Sequence, residues 1–207
     1  MTSEPPLFSV SAARQDALQV ACLVAHVTAR LEHGSFLTVV HSGSSDYLRF
    51  LHDLIARLLK EGRHVEVLDY RRAIKSVYIQ QAVSRSVAAP VEYLRYLNLQ
   101  VILDERHALA EAERLGRQSQ LPQEVSFLFL VDPSALLGRV VRRVKEAATA
   151  LRLQYEIAQL LAARGYAVVV ADAGGRELHR AECLVPDQLA RSSTLLLQFL
   201  PGRVLIK

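Results

Sequence analysis

Phe36–Leu59 reads FLTVVHSGSSDYLRFLHDLIARLL. Phe36–Val40 is an apolar, β-branched run of strand length, His41–Asp46 is a short loop of small residues, and a helical period begins at about Tyr47. Strand, Gly/Ser loop and helix is the layout in which backbone N–H groups and a helix N-terminus cradle phosphate while a lysine neutralises it. The pattern that completes such a cradle, G-x-x-x-x-G-K-[ST], is not there. The loop His41, Ser42, Gly43, Ser44, Ser45, Asp46 has one glycine, and no lysine falls between Phe36 and Leu59. Counted back from Leu48, Ser45 and Asp46 stand where lysine and threonine belong. A carboxylate at that place repels a triphosphate and suits a helix N-cap instead.

Upstream, Met1–Val10 is expected to be a loose arm or a docking segment. Ala17, Val20, Ala21, Val24, Val27 and Leu31 recur at helical spacing and predict an amphipathic helix that stops at Gly34, with Cys22 on its apolar side. Downstream, the helix after the loop turns Leu48, Leu51, Leu54, Ile55, Leu58 and Leu59 inward, and Arg49, His52, Asp53, Arg57 and Lys60 outward. His64–Tyr70 follows as a second strand, a spacing that predicts a right-handed parallel βαβ unit. Arg71–Val87 reads as basic and partly helical, Pro90 breaks it, and Val91–Leu97 is a further short helix. Leu99–Leu103 is the third strand, with a helix around His107–Leu115. Val125–Val131, the most apolar strand, is expected in mid-sheet. Helical periodicity then runs over Ser134–Ala163 with a break near Gly138, and Tyr166–Ala171 is the fifth strand. Asp172–Glu182 reads as a Gly- and Arg-containing loop, followed by a short helix near Pro186–Ala190. Thr194–Phe199 and Arg203–Ile206 read as two strands joined by a tight turn. The expectation is one α/β domain over residues 11–207, a mostly parallel sheet flanked by helices and closed by a C-terminal antiparallel strand pair.

The totals narrow the function classes. Half the 207 residues are hydrophobic, enough for a sizeable core. No apolar run approaches the roughly 20 residues of a membrane span, and MTSEPPLFSV carries no basic n-region, an expectation against secretion. Two cysteines in apolar contexts suit a reducing compartment. The net charge of +4 is compatible with nucleic acid without demanding it. The seven histidines show no metal-ligand spacing, and no G-x-S-x-G elbow surrounds Ser42, Ser44 or Ser45, so neither a metal site nor a hydrolase nucleophile is expected.

The order of elements resembles the core of RecA-type recombinases and their paralogues. FLTVVHSGSSDYLRFL is similar to their P-loop region and HVEVLDY to their second strand. LNLQVILDERHALAEAERL is similar to the third strand and its helix, and VSFLFLVD to the Walker B strand. YAVVVADAGGRELHRAECLVPDQLARSSTLLLQF is similar to the last parallel strand, the DNA-facing loop and the return. The resemblance spans Gly34 to Lys207. It implies a RecA-like P-loop NTPase core whose Walker A is degenerate, similar in this respect to the non-catalytic RecA-like subunits of Shu-type complexes. As the resemblance implies, such a chain keeps the fold as a scaffold in homologous recombination and DNA repair. It pairs with another RecA-like subunit, in a homo- or hetero-oligomer, and helps a recombinase assemble. It touches DNA, most naturally single-stranded, works in the cytoplasm or, in a eukaryote, the nucleus, and needs neither cofactor nor membrane. An active ATPase of the RecA/KaiC superfamily, using ATP and magnesium through Asp132, and a RecA-like regulatory scaffold or inhibitor without a DNA role stay open as alternatives.

Each candidate residue has a structural reading beside the functional one. Asp132 is either a Walker-B-like carboxylate for magnesium or the end of a buried strand capping the next segment. Asp104-Glu105 has the look of a motor ATPase but stands where a helix cap belongs. Arg176, His179 and Arg180 lie in the glycine-containing loop that the resemblance makes DNA-facing; a solvated surface loop is the alternative. Arg139, Arg142 and Arg143 share one face of a helix, as a phosphate track or as its wet side. Arg71 and Arg72, with Lys75 after them, follow the carboxyl end of the second strand, where open α/β sheets bind ligands. Tyr70 and Tyr78 are the aromatics among these patches, slight support for a base-stacking platform.

Overall fold

Parallel strands covered on both faces must be apolar throughout, and helices that cross between them must be apolar on one stripe. The computed structural model, which describes residues 12–31, 34–42, 45–85, 89–118, 126–139, 144–173, 193–200 and 203–206, arranges the chain accordingly. In chain order the elements are α1 (Ala12–Thr28), β1 (Phe36–His41), α2 (Asp46–Lys60), β2 (His64–Asp69), α3 (Ser76–Ser84), α4 (Pro90–Leu94) and β3 (Leu97–Val101). There follow α5 (Glu105–Gln118), β4 (Ser126–Val131), α6 (Ala135–Arg139), α7 (Val144–Ala163), β5 (Ala167–Ala173), β6 (Leu195–Leu200) and β7 (Arg203–Ile206). The strands form one sheet in the order β3-β2-β4-β5-β1-β6-β7. Every neighbouring pair is parallel except β6 and β7. The α/β class, the mostly parallel sheet, the interior position of β4 between two parallel neighbours and the closing antiparallel pair are as the sequence predicts.

Strand side chains alternate between two cores. One face carries Leu37, Val39, Val65, Val67, Phe129 and Val169 against α1, α2, α3 and α4. The other carries Phe36, Leu68, Leu128, Leu130, Val168 and Val170 against α5, α6 and α7. On the first face α2 buries Phe50, Leu51, Leu54, Ile55 and Leu58, each worth roughly 1.5–3 kcal/mol. On the second, the Tyr70 hydroxyl donates to Gln154 Oε1, and Gln154 Nε2 donates to the Ala108 carbonyl at 2.9 Å. One buried amide thus ties α7 to both β2's end and α5 without leaving a polar atom unmet.

The two long crossover helices end alike. After α2, Gly62 N–H bonds Leu59 O at 2.9 Å and Arg63 N–H bonds Leu58 O at 3.0 Å. After α7, Gly165 N–H bonds Ala162 O and Tyr166 N–H bonds Leu161 O, both at 3.0 Å. These are Schellman closures, and the left-handed φ of +74° at Gly62 and +97° at Gly165 is why each position is glycine. At the same amino-terminal edge of the sheet Thr194 locks β6 beside β1: its N–H donates to Phe36 O at 2.8 Å, and its Oγ1 accepts Phe36 N–H at 3.0 Å.

Several elements depart from the sequence reading. Pro90 opens α4 at its first turn rather than breaking a helix, because a proline there has no N–H to waste. β3 begins two residues earlier than the predicted Leu99, paired with Val65–Asp69 of β2. His52 is buried, not outward, because α3 lies across α2 and covers it. Cys22 is exposed, since α1 packs through Val24 and Val27, with Leu31 just past its end, and leaves that cysteine on its far side. The Pro186–Ala190 helix and the arm Met1–Val10 lie outside the described residues. Among the described residues no helix is long and apolar enough to cross a membrane.

Nothing lies within 4 Å of where a Cβ on Gly62 would stand, so Gly62→Ala carries only the left-handed backbone penalty. Urea unfolding should show a loss of about 1 kcal/mol with an unchanged slope. Leu54→Ala, in the packed interior, should lose about 2–5 kcal/mol.

Candidate functional site

Because six of the seven strands run parallel, their carboxyl ends collect at one edge of the sheet. Three carboxylates meet there: Asp69 ends β2, Asp132 follows β4, and Asp172 lies near the end of β5. All three must find donors, because an unsatisfied buried carboxylate costs far more than a hydrogen bond returns.

Asp132 is 1% exposed. His41 Nε2 lies 2.6 Å from its Oδ1, and the Tyr47 hydroxyl donates to its Oδ2 at 2.9 Å. With an ionised carboxylate as acceptor, the proton sits on Nε2 and the imidazole donates. The His41 and Tyr47 rings stack at 3.5 Å between centroids and 4° from parallel. Burial, then the charge and hydrogen bond of Asp132, push the Tyr47 hydroxyl's pKa well up, so it stays a donor; the Arg71 guanidinium opposes this. The strand alternation through Leu128 and Leu130 would send residue 132 toward the second face. A left-handed φ of +55° turns it instead toward His41 and Tyr47. Aspartate tolerates that conformation better than most residues. Its backbone N–H is held by Ala171 O at 2.7 Å, so β5 fixes the turn.

Asp172, on the opposite face of β5, accepts Ser134 Oγ–H at 2.5 Å and its own neighbour Ala173 N–H at 2.8 Å. Burial, set against the Ser134 hydrogen bond and reinforced by the charge of Asp132, raises its pKa to about 6. Asp69, fully buried, accepts the N–H groups of Arg71 (2.9 Å) and Ile74 (2.7 Å) and so shapes the turn from β2 into α3.

The predicted residues fall as follows. His41 is the last residue of β1 and buried, while Ser42, Ser45 and Asp46 are exposed; Gly43 and Ser44 lie outside the described residues. Asp46 is the first residue of α2 rather than its N-cap. Ser45 holds the cap position with helical backbone angles and makes no side-chain cap bond. The carboxylate of Asp46 is still favourably placed against the helix dipole. Asp132 does not cap the following segment with its side chain, contrary to the structural reading, because His41 and Tyr47 take both oxygens. Asp104 does cap α5, accepting His107 N–H at 2.8 Å. Arg71 and Arg72 are exposed beside Asp69, Arg72 with a left-handed φ of +58°. Arg139 is the last residue of α6; Arg142 and Arg143, like Arg176, His179 and Arg180, lie outside the described residues. Tyr47, and the half-burial of Asp172 within a strand, escaped the sequence reading. A polar-tipped aromatic in the first turn after a strand-ending histidine was the available signal.

The raised pKa of Asp172 sets a pH dependence. A carboxyl whose folded pKa lies above its unfolded value binds protons more tightly when folded. Its contribution is therefore fully favourable below 3.8 and is lost as pH rises from 3.8 to about 6. Relative to Asp172→Asn, the wild type should lose stability across that window and hold a constant difference above it. A carboxylate that keeps some solvent contact holds the loss below the roughly 3 kcal/mol of a fully buried shift this size. Chemical denaturation at pH 4, 6 and 8, as about the start, end and far side of the window, reads it directly. In comparisons with known proteins, no family model matches the chain and no curated protein matches it.

Proposed function

We propose that the chain is a RecA-like recombinase paralogue that does not hydrolyse nucleotide, a DNA-binding and assembly factor of homologous recombination and DNA repair. One observation carries this reading. The carboxylate ending the apolar strand β4, which in an NTPase of this layout would face magnesium, is held by His41 Nε2 and the Tyr47 hydroxyl. A magnesium ion needs near-octahedral oxygen ligation and keeps several waters. It would have to displace both donors and separate a stacked ring pair. The loop that would hold phosphate supplies no lysine and places Asp46 in the first turn of α2. The residues present do not fit a magnesium nucleotide.

The choice of fold family is supported by the succession of elements. It runs strand, loop and helix; second strand; third strand and helix; apolar strand ending in Asp; long helix; strand; and a closing antiparallel pair. Binding, rather than turnover, is what such a domain retains. The exposed Arg71 and Arg72 at the carboxyl edge support contact with phosphate. The partners proposed are a RecA-like subunit, a recombinase and single-stranded DNA, in the cytoplasm or nucleus.

Isothermal titration of the purified chain with ATP and magnesium should give no binding heat, and Asp132→Asn should leave that result unchanged. Labelled single-stranded DNA should bind with an affinity that falls steeply with salt. A tight magnesium–ATP complex that Asp132→Asn abolishes would overturn the reading in favour of an ATPase.

A further inference from the structure

α2 and α3 pack side by side on the first face of the sheet, and a groove of about 380 Å³ runs between them. Its cations are Arg49 from α2, Lys75 at the start of α3 and Arg85 just past its end. Asp53 is the one carboxylate among the described lining residues. Among the described residues no ion pair engages Arg49, Lys75 or Arg85. The positive field continues along α2. The Lys60 ammonium is held below its ordinary pKa by burial, then by Arg57 and Arg85, with Asp53 opposing. From Arg49 to Lys60 the helix rises about 16 Å, long enough for a polymeric anion rather than a single phosphate. Arg85 also lines a wider depression with Val77, Gln80, Gln81 and Ser84, which prolongs the groove over the outer side of α3.

An aromatic side chain stands in the groove. Tyr78 is 55% exposed, and its ring meets the buried His52 imidazole nearly edge-on, at 5.5 Å and 86°. His52 is itself fixed, its Nε2 accepting the Lys75 backbone N–H at 3.0 Å. Burial lowers the His52 pKa, which keeps that nitrogen an acceptor at neutral pH. Tyr78 is thus an open ring propped in place by its neighbour, and a planar partner meets a side chain already ordered. A run of cations with a stacking ring is the chemistry that grips a single strand through its phosphates and base faces.

We infer that the groove between α2 and α3 is a track for single-stranded nucleic acid, with Arg49, Lys75 and Arg85 on its phosphates and Tyr78 against a base. The inference rests on the DNA-binding reading above and names a surface for it apart from the carboxyl edge. The track begins beside that edge, since Lys75 follows closely on Arg71 and Arg72.

Fluorescence anisotropy with a labelled oligothymidylate, over a salt series, tests it. Arg49→Ala, Lys75→Ala and Arg85→Ala together should weaken binding more than about tenfold at low salt. They should also flatten the slope of log K against log salt by about 2, near 0.7 for each phosphate no longer neutralised. Tyr78→Ala should weaken binding about tenfold and leave the slope unchanged. The control removes three exposed cations from the second face, Arg117, Arg152 and Arg164, the first two ion-paired with Glu113 and Glu156, and should leave affinity unchanged. Equal weakening by both triple variants, or displacement of the oligonucleotide by polyglutamate at matched charge, overturns the track. DNA binding that survives the groove variants but falls with Arg71→Ala overturns the track and leaves the DNA reading standing. No binding by the wild type at low salt removes both.

Discussion

A parallel sheet brings its strand ends to one edge, and in this chain three of those ends carry buried or half-buried aspartates. Among the described residues no lysine or arginine side chain bonds to any of the three, so each needs other hydrogen-bond donors, and each finds them differently. Asp69 takes two backbone N–H groups from its own turn and becomes a structural corner. Asp172 takes a serine hydroxyl and gives up part of its acidity. Asp132 takes two ring-borne donors from the first strand and the first crossover helix. The last arrangement closes the space between β1, β4 and α2, and it ties the two strands that flank β5.

The same closure bears on what the strand-end edge can bind. A strand, a small-residue loop and a helix can hold phosphate only if the loop offers N–H groups and a cation and the facing carboxylate remains available to a metal. In this chain β1 and α2 are in place on either side of the loop, and Asp132 is bonded to His41 and Tyr47. On the reading proposed above, binding falls to surfaces the sheet supports. The α2–α3 layer is such a surface, because α3 covers the middle of α2 and leaves charged residues along the seam.

How much of this was legible in the sequence follows from what each element depends on. β4 and β5 are apolar on both faces, so SFLFLV and AVVVA announce buried strands whatever surrounds them. The period of α2 announced its buried stripe, but not the burial of His52, which depends on a helix arriving from elsewhere in the chain. The pairing of His41 and Tyr47 with Asp132 was out of reach for the same reason. Those residues are 91 and 85 positions apart, and only the sheet order brings them together. The exposure of Cys22 turned on which side of a weakly amphipathic α1 meets α2, a choice its own small residues do not decide.

The left-handed turn at residue 132 narrows what the position can become over evolutionary time. Its backbone angle admits glycine, asparagine and aspartate with little strain, and its neighbours demand an oxygen that accepts from an imidazole. Glycine meets the first requirement alone, and glutamate the second. Drift at this site is therefore channelled between Asp and Asn, two residues separated by one charge and almost no volume.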